Sequence, residues 1–131
     1  MGRKTHDSIG FILPHRLNIV LSRTVSSAFG GPNLVVARSV SEAIFLASHT
    51  ECDCVKHHED LMVIGGAEVY KAFLPKADVL HWTTFPTAFD VDTYFPEWDS
   101  IREWRVVEEE EFKADEKNSL DHRYQKLERL K

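Results

Sequence analysis

The chain has 131 residues and 15.1 kDa, the length of one domain and too short for two comfortable ones. Hydrophobic residues make up 43% and charged residues 28%, which excludes a disordered or fibrous chain. The 16 basic and 21 acidic residues leave a net charge of -5, which argues against a nucleic-acid or anionic-membrane footprint. No apolar run approaches the ~20 residues that span a bilayer. Met1–Asp7 lacks the apolar stretch of a secretory leader, and Cys52 and Cys54 cannot build a disulfide framework. A cytoplasmic enzyme or binding protein is the expectation.

In chain order, Gly2 to Gly10 reads as a short helix, with Thr5 and Asp7 as possible caps and Gly10 as its stop. Leu13-Pro14 makes a turn. Leu17–Leu21 is a short, β-branched apolar run and therefore a buried strand. Ser22 to Asn33, rich in Ser, Gly and Pro, is a loop. Leu34–Ala37 is a second buried strand. Ser39 starts the clearest helix, because Glu42 follows at capping-box spacing and Ala43, Ile44, Leu46 and Ala47 supply an apolar face. Leu61–Ile64 is expected as a third buried strand, followed by Gly65-Gly66 and a helix from Ala67 to Leu74 that Pro75 ends. Val79–Phe85 is a fourth strand and Asp92–Trp98 a loop. Trp104–Phe112 and His122–Leu130 form an antiparallel hairpin across a polar turn near Asn118. Strand–helix alternation followed by a hairpin predicts an α/β fold, a mixed, mostly parallel sheet with flanking helices and an antiparallel edge.

The strongest chemical signal is Val63-Ile64-Gly65-Gly66-Ala67-Glu68-Val69-Tyr70, a strand running through two glycines into a helix. Two glycines let the backbone approach a ligand without a Cβ clash, and a helix start favours an anion such as pyrophosphate. Tyr70 sits one turn on, near the strand's carboxyl end, where ligands bind in open α/β sheets. The plainer alternative is an ordinary strand-to-helix turn. Gly2-Arg3-Lys4-Thr5, Ser22-Arg23-Thr24 and Arg38-Ser39 each place cations and a hydroxyl at the start of a helix or the end of a strand. Arginine forks onto phosphate, although each cation alone reads as well as a solvated loop residue. His49–His58 crowds Cys52, Cys54, His57 and His58 into a polar connector; an ordinary surface loop is favoured over a zinc site, since Cys-x-Cys is not the usual zinc-loop spacing. Glu108–Glu111 reads as a solvated sheet edge.

Taken in order, these segments resemble dihydrofolate reductase of the bacterial chromosomal type. The resemblance rests on Gly2-Arg3-Lys4-Thr5 through Ser8-Ile9-Gly10, Leu13-Pro14 with Arg16, and Asn18–Arg23. Ala37-Arg38-Ser39, Val63–Tyr70, Phe73-Leu74-Pro75, Asp92–Pro96 and Phe112–Arg129 continue it. It implies an NADPH-dependent reduction of 7,8-dihydrofolate to tetrahydrofolate on a dihydrofolate-reductase-like fold, residues 1–131 forming a single domain. It implies a cofactor site of Arg3, Thr5, Ser22, Arg23, Arg38, Ser39, Ile64, Gly65, Gly66, Val69 and Tyr70, with Tyr70 beside the nicotinamide. It implies Ile9, Leu13 and Arg16 for the folate tail, and Thr83 as the support of the family's pterin-binding acid. The matched region starts after the family's first strand and that acid, so the domain is expected to be N-terminally truncated, with no catalytic residue identifiable and no metal. His6, Phe11, Ile12, His15 and Val91 depart from the family pattern around the same pocket.

Two readings of activity stay open here: an active reductase, and a non-catalytic relative that keeps nucleotide binding or only a structural role. A metal-binding module around Cys52–His58 is a third. A sheet short of a strand leaves backbone groups unpaired at roughly 1–3 kcal/mol each when buried, so a homo-oligomer is expected, with strand exchange as one route.

Overall fold

The computed structural model describes residues 1–24, 30–50, 60–98 and 102–130. Its contacts divide into two units, Met1–Leu74 and Pro75–Lys131.

In the first unit, helix α1 (Arg3–Ile9) is followed by strands β1 (Asn18–Leu21) and β2 (Leu34–Ala37), then helices α2 (Val40–His49) and α3 (Ala67–Phe73). Strands β1 and β2 are parallel, with Leu21 opposite Ala37, and Gly2 makes a parallel bridge to Leu21 on the other side of β1. The Met1 nitrogen donates to the Ile19 carbonyl at 3.0 Å, and the Leu21 amide donates to the Met1 carbonyl at 2.8 Å. The core gathers Ala37, Ala43, Val69 and Phe73, with Ile19, Leu21, Ile44 and Val63 packed on it. Val20 is 0% exposed.

Local chemistry explains the helix ends. The Ser39 hydroxyl accepts the Glu42 amide at 3.1 Å, one half of the expected capping box. The other half is displaced by one residue, since the Glu42 carboxylate accepts from the Arg38 amide at 2.8 Å. Gly10 ends α1 at φ 82°, a left-handed conformation that suits glycine. Neither Thr5 nor Asp7 caps α1. Its N-cap is Gly2, and Asp7 pairs with Arg3 at 3.6 Å one turn away.

Leu61–Ile64 differs from expectation. The segment carries no assigned strand, and Leu61, Met62 and Ile64 are exposed, Met62 at 60%. An apolar run becomes a strand only when neighbouring chain completes its ladder. The Gly65 carbonyl just beyond the run accepts the Gly2 amide at 2.8 Å, and no strand ladder pairs with residues 61–64 among the described residues.

The second unit is a three-stranded antiparallel sheet of β3 (Val79–Thr84), β4 (Trp104–Phe112) and β5 (His122–Arg129), in the order β3-β5-β4. The predicted hairpin is present, with a register shift between Val106 and Glu108. Trp104 and Leu127 are each 3% exposed. The Arg129 guanidinium lies 4.5 Å from the Trp104 ring centroid, while its Nε donates to the Ala77 carbonyl at 2.8 Å. Glu108–Glu111 is exposed on β4, an outer strand, as expected of a solvated edge. Arg123 reaches across from β5 to Glu109 at 3.4 Å and Glu111 at 3.3 Å.

The turn between β4 and β5 is built by carboxylates. Asp115 Oδ1 accepts the amides of Lys117 at 2.8 Å and Asn118 at 2.7 Å, and Asp121 accepts the Ala114 amide at 2.7 Å. The Asn118 and Lys117 amides hold the Asp115 carboxyl below its ordinary value. A carboxyl so lowered contributes its stabilisation above the ordinary aspartate range and loses it as pH falls through the lowered value. Acid titration followed by NMR is therefore expected to shift the Lys117 and Asn118 amides together below that range, and Asp115→Asn is expected to remove the transition.

Candidate functional site

The first unit brings three chain segments to one edge. Met1-Gly2, β1 and β2 run parallel, so Arg3, Ser22 and Arg38 all follow carboxyl ends of extended chain. The sequence places a hydroxyl beside each cation: Thr5 on α1, Ser22 with Arg23, and Ser39 with Arg38.

The second and third of these sets are joined. The Arg38 guanidinium donates to the Arg23 carbonyl at 2.7 Å, and the Ser22 amide donates to the Ala37 carbonyl at 2.9 Å. Arg23, Arg38 and Ser39 are exposed and Ser22 half-buried, so this corner is a cationic, hydroxyl-bearing surface open to an anion. Glu42 belongs to the same corner through Arg38. In the sequence Glu42 reads only as a cap.

The glycine pair sits against the first set. Gly65 is buried and has φ 105°, where L side chains are strained. A Cβ there would come within 3.2 Å of Tyr70 Cε2, so the tyrosine ring lies directly over the glycine backbone. The Gly65–Gly66 peptide bond is cis. A Cβ on Gly66 would meet Thr5 Oγ1 at 3.7 Å, and one on Gly2 would meet Val69 Cγ2 at 3.3 Å. Thr5, Gly65, Gly66, Val69 and Tyr70 are thus one neighbourhood. Ile64, immediately before the pair, is exposed at 37%.

The residues expected for the folate tail share a different local frame. Ile9 closes α1, and Leu13 and Arg16 lie on the turn before β1. That turn is organised by Asn18, buried to 3% exposure. Its side-chain oxygen accepts the Leu13 amide at 3.0 Å, and its nitrogen donates to the Leu13 carbonyl at 2.9 Å and the Arg16 carbonyl at 3.2 Å. Arg16 is exposed, and its Nε donates to the Pro14 carbonyl at 2.8 Å. In the sequence Asn18 stands within the Leu17–Leu21 strand and the Asn18–Arg23 match, with no role of its own. A polar residue opening an apolar run was the signal that could have marked it.

Thr83 lies on β3 in the second unit, opposite Tyr124 of β5. The adjoining pair was missed: His81 Nδ1 and the Tyr124 hydroxyl share a 2.6 Å hydrogen bond, their rings near-parallel at 6.0 Å. Cys52–His58 lies outside the described residues. No helix among the described residues is long and apolar enough to cross a membrane.

An α/β protein whose parallel strand ends carry anion-suited side chains beside a glycine pair is the class these features define. Residues 1–129 match the family model for dihydrofolate reductase. Dihydrofolate reductase of Haemophilus influenzae is 40% identical over 126 residues, covering 95% of this chain and 70% of that protein. The Bacillus subtilis protein of the same name is 37% identical over 124 residues, covering 95% of this chain and 67% of its own. Among solved structures, dihydrofolate reductase from Enterococcus faecalis complexed with NADP(H) and RAB-propyl superposes with a TM-score of 0.80 at 30% identity. That match covers 99% of this chain and 72% of the other. The chain belongs to the dihydrofolate reductase family, and its α/β fold, with parallel and antiparallel ladders, is that family's fold.

Proposed function

We propose that this chain binds NADPH and takes part in reducing 7,8-dihydrofolate to tetrahydrofolate, residues 1–131 acting as one domain in the cytoplasm. The observation that carries the reading is the edge where Arg3, Ser22 and Arg38 follow parallel chain ends beside a Gly65 whose backbone strains any side chain. Bound NADPH supplies the hydride. Arg3, Thr5, Ser22, Arg23, Arg38 and Ser39 are the residues suited to its phosphates and adenosine end, through charge-assisted hydrogen bonds. Ile64, Gly65, Gly66, Val69 and Tyr70 are suited to its nicotinamide end, where only bare backbone allows close approach. Ile9 and Leu13 offer apolar contact to the substrate and Arg16 a carboxylate partner, with Thr83 as a further polar contact.

Two measurements test the reading. NADPH oxidation with dihydrofolate is expected to exceed the background rate, and calorimetric titration is expected to show saturable NADPH binding. Binding without turnover favours the non-catalytic reading of the same site, and absence of binding overturns both.

The partner in this proposal is a second copy of the chain. Leu61, Met62 and Ile64 expose apolar side chains on unladdered backbone, and β3 pairs only with β5 among the described residues. Open edges of this kind invite pairing with another chain. Sedimentation is expected to show a homo-oligomer at micromolar concentration, and a clean monomer would remove this part of the proposal.

A further inference from the structure

We propose that Glu42 is a positioning residue that sets this chain's preference for NADPH over NADH, by holding Arg38 and Ser39 in place where β2 passes into α2. The inference rests on the NADPH reading above and adds to it a residue that touches no part of the cofactor. The two nucleotides differ only by a phosphate ester on the adenosine ribose. A preference between them therefore has to come from side chains that meet that dianion.

The corner is a linked set of bonds within the first unit. The Glu42 carboxylate accepts the Arg38 amide at 2.8 Å, and the Glu42 amide donates to the Ser39 hydroxyl at 3.1 Å. One glutamate thus holds both residues, Arg38 through its side chain and Ser39 through its backbone. The Arg38 guanidinium donates to the Arg23 carbonyl at 2.7 Å, and the Ser22 amide to the Ala37 carbonyl at 2.9 Å, which ties the end of β2 to the end of β1. Arg23, Arg38, Ser39 and Glu42 are all exposed.

Side-chain chemistry separates the roles. Arginine forks onto a phosphate. A hydroxyl that accepts from an amide still has its proton to donate, so Ser39 can serve the helix cap and an anion at once. Glu42 cannot join them, because an ionised carboxylate only accepts hydrogen bonds and repels a phosphate. A carboxylate beside an anion-suited corner opposes binding unless it contributes something that offsets its charge. Its bond to the Arg38 amide is that contribution. It fixes the backbone from which the arginine side chain departs, and a group held in its binding geometry loses less freedom when the ligand arrives.

Calorimetric titration with NADPH and with NADH tests this without reading turnover. Glu42→Ala keeps the helix propensity of an exposed α2 position. It is expected to weaken NADPH about fivefold, the scale of one exposed charged contact, and to leave NADH within about twofold of wild type. Glu42→Gln keeps a side-chain oxygen for the Arg38 amide and is expected to bind NADPH at least as tightly as wild type. Hydrogen exchange on the free chain gives a second readout. The Arg38 amide is expected to exchange slowly in wild type and Glu42→Gln, and fast in Glu42→Ala. A merely structural cap would make Glu42→Ala weaken both nucleotides together, and a merely electrostatic role would make both variants bind NADPH more tightly than wild type. Either result overturns the proposal, as does fast exchange of the Arg38 amide in the wild type. Equal affinity of the wild type for both nucleotides, or an NADPH preference that Glu42→Ala keeps, overturns this inference alone. A wild-type chain that binds neither nucleotide overturns the NADPH reading and this inference with it.

Discussion

Gly65→Ala is expected to cost NADPH affinity at least tenfold and to lower the midpoint of thermal unfolding, while Gly66→Ala keeps most of the stability. The two glycines are neighbours with different constraints. At Gly65 the backbone sits at φ 105° and the nearest atom to a new Cβ is Tyr70 Cε2 at 3.2 Å. An alanine there carries a conformational cost of about 1–3 kcal/mol, and it pushes on a ring that the proposal places beside the nicotinamide. Relief requires Tyr70 to move or the backbone to turn, and either change alters the face offered to the cofactor. At Gly66 the backbone has φ -80°, and a Cβ would make ordinary contact with Thr5 Oγ1 at 3.7 Å. The methyl group fits the chain itself. Lost NADPH affinity in Gly66→Ala with stability retained would therefore report that the cofactor occupies the space a Cβ fills. Thermal melts with and without NADPH, run on both variants, separate these effects, because a ligand stabilises only the chain that binds it. Equal NADPH affinity in all three proteins would remove the glycine pair from the site.

The elements that the sequence made legible are those whose signals are local. Leu34–Ala37 is found at its predicted bounds, because a short β-branched run between a Gly-Pro loop and a helix cap leaves little choice. The Ser39 cap and the Gly10 stop are equally local, each a side chain or backbone property acting within one turn. Non-local facts were harder to see. Whether Leu61–Ile64 forms a strand depends on which chain lies beside it, and hydropathy along one segment does not encode its neighbours. The register shift at Val106/Glu108 is a property of two strands together. The His81–Tyr124 bond joins residues 43 apart, and the chain around either one does not announce the other. For the candidate site, the side chains were legible as types: glycines where the backbone must be bare, and cations with hydroxyls at strand ends. Their assembly into one edge came from the parallel pairing of Met1-Gly2, β1 and β2.

Asn18→Ala is expected to give the other large effect, and for the opposite reason, since Asn18 carries no chemistry of its own. The side chain is 3% exposed and makes three hydrogen bonds to the backbone of Leu13 and Arg16. Truncation leaves the Leu13 amide and carbonyl without their partners, at about 1–3 kcal/mol for each buried group left unsatisfied. Water entering the vacated space recovers part of that, so a net loss of about 2–4 kcal/mol is expected. The functional consequence should be selective. Leu13 and Arg16, proposed to meet the substrate, hang on this turn, whereas Ser22, Arg23, Arg38 and Ser39 are held through β1, β2 and their own bonds. The variant is therefore expected to raise KM for dihydrofolate several-fold and to leave NADPH affinity close to wild type at temperatures below its melt. Asn18→Asp is the harsher change, because it keeps an acceptor for the Leu13 amide but sets a buried carboxylate oxygen against the Leu13 and Arg16 carbonyls that the nitrogen served. It should fall below alanine in stability at neutral pH. If Asn18→Ala weakens NADPH and dihydrofolate equally, the turn serves the fold as a whole and does not position the substrate residues.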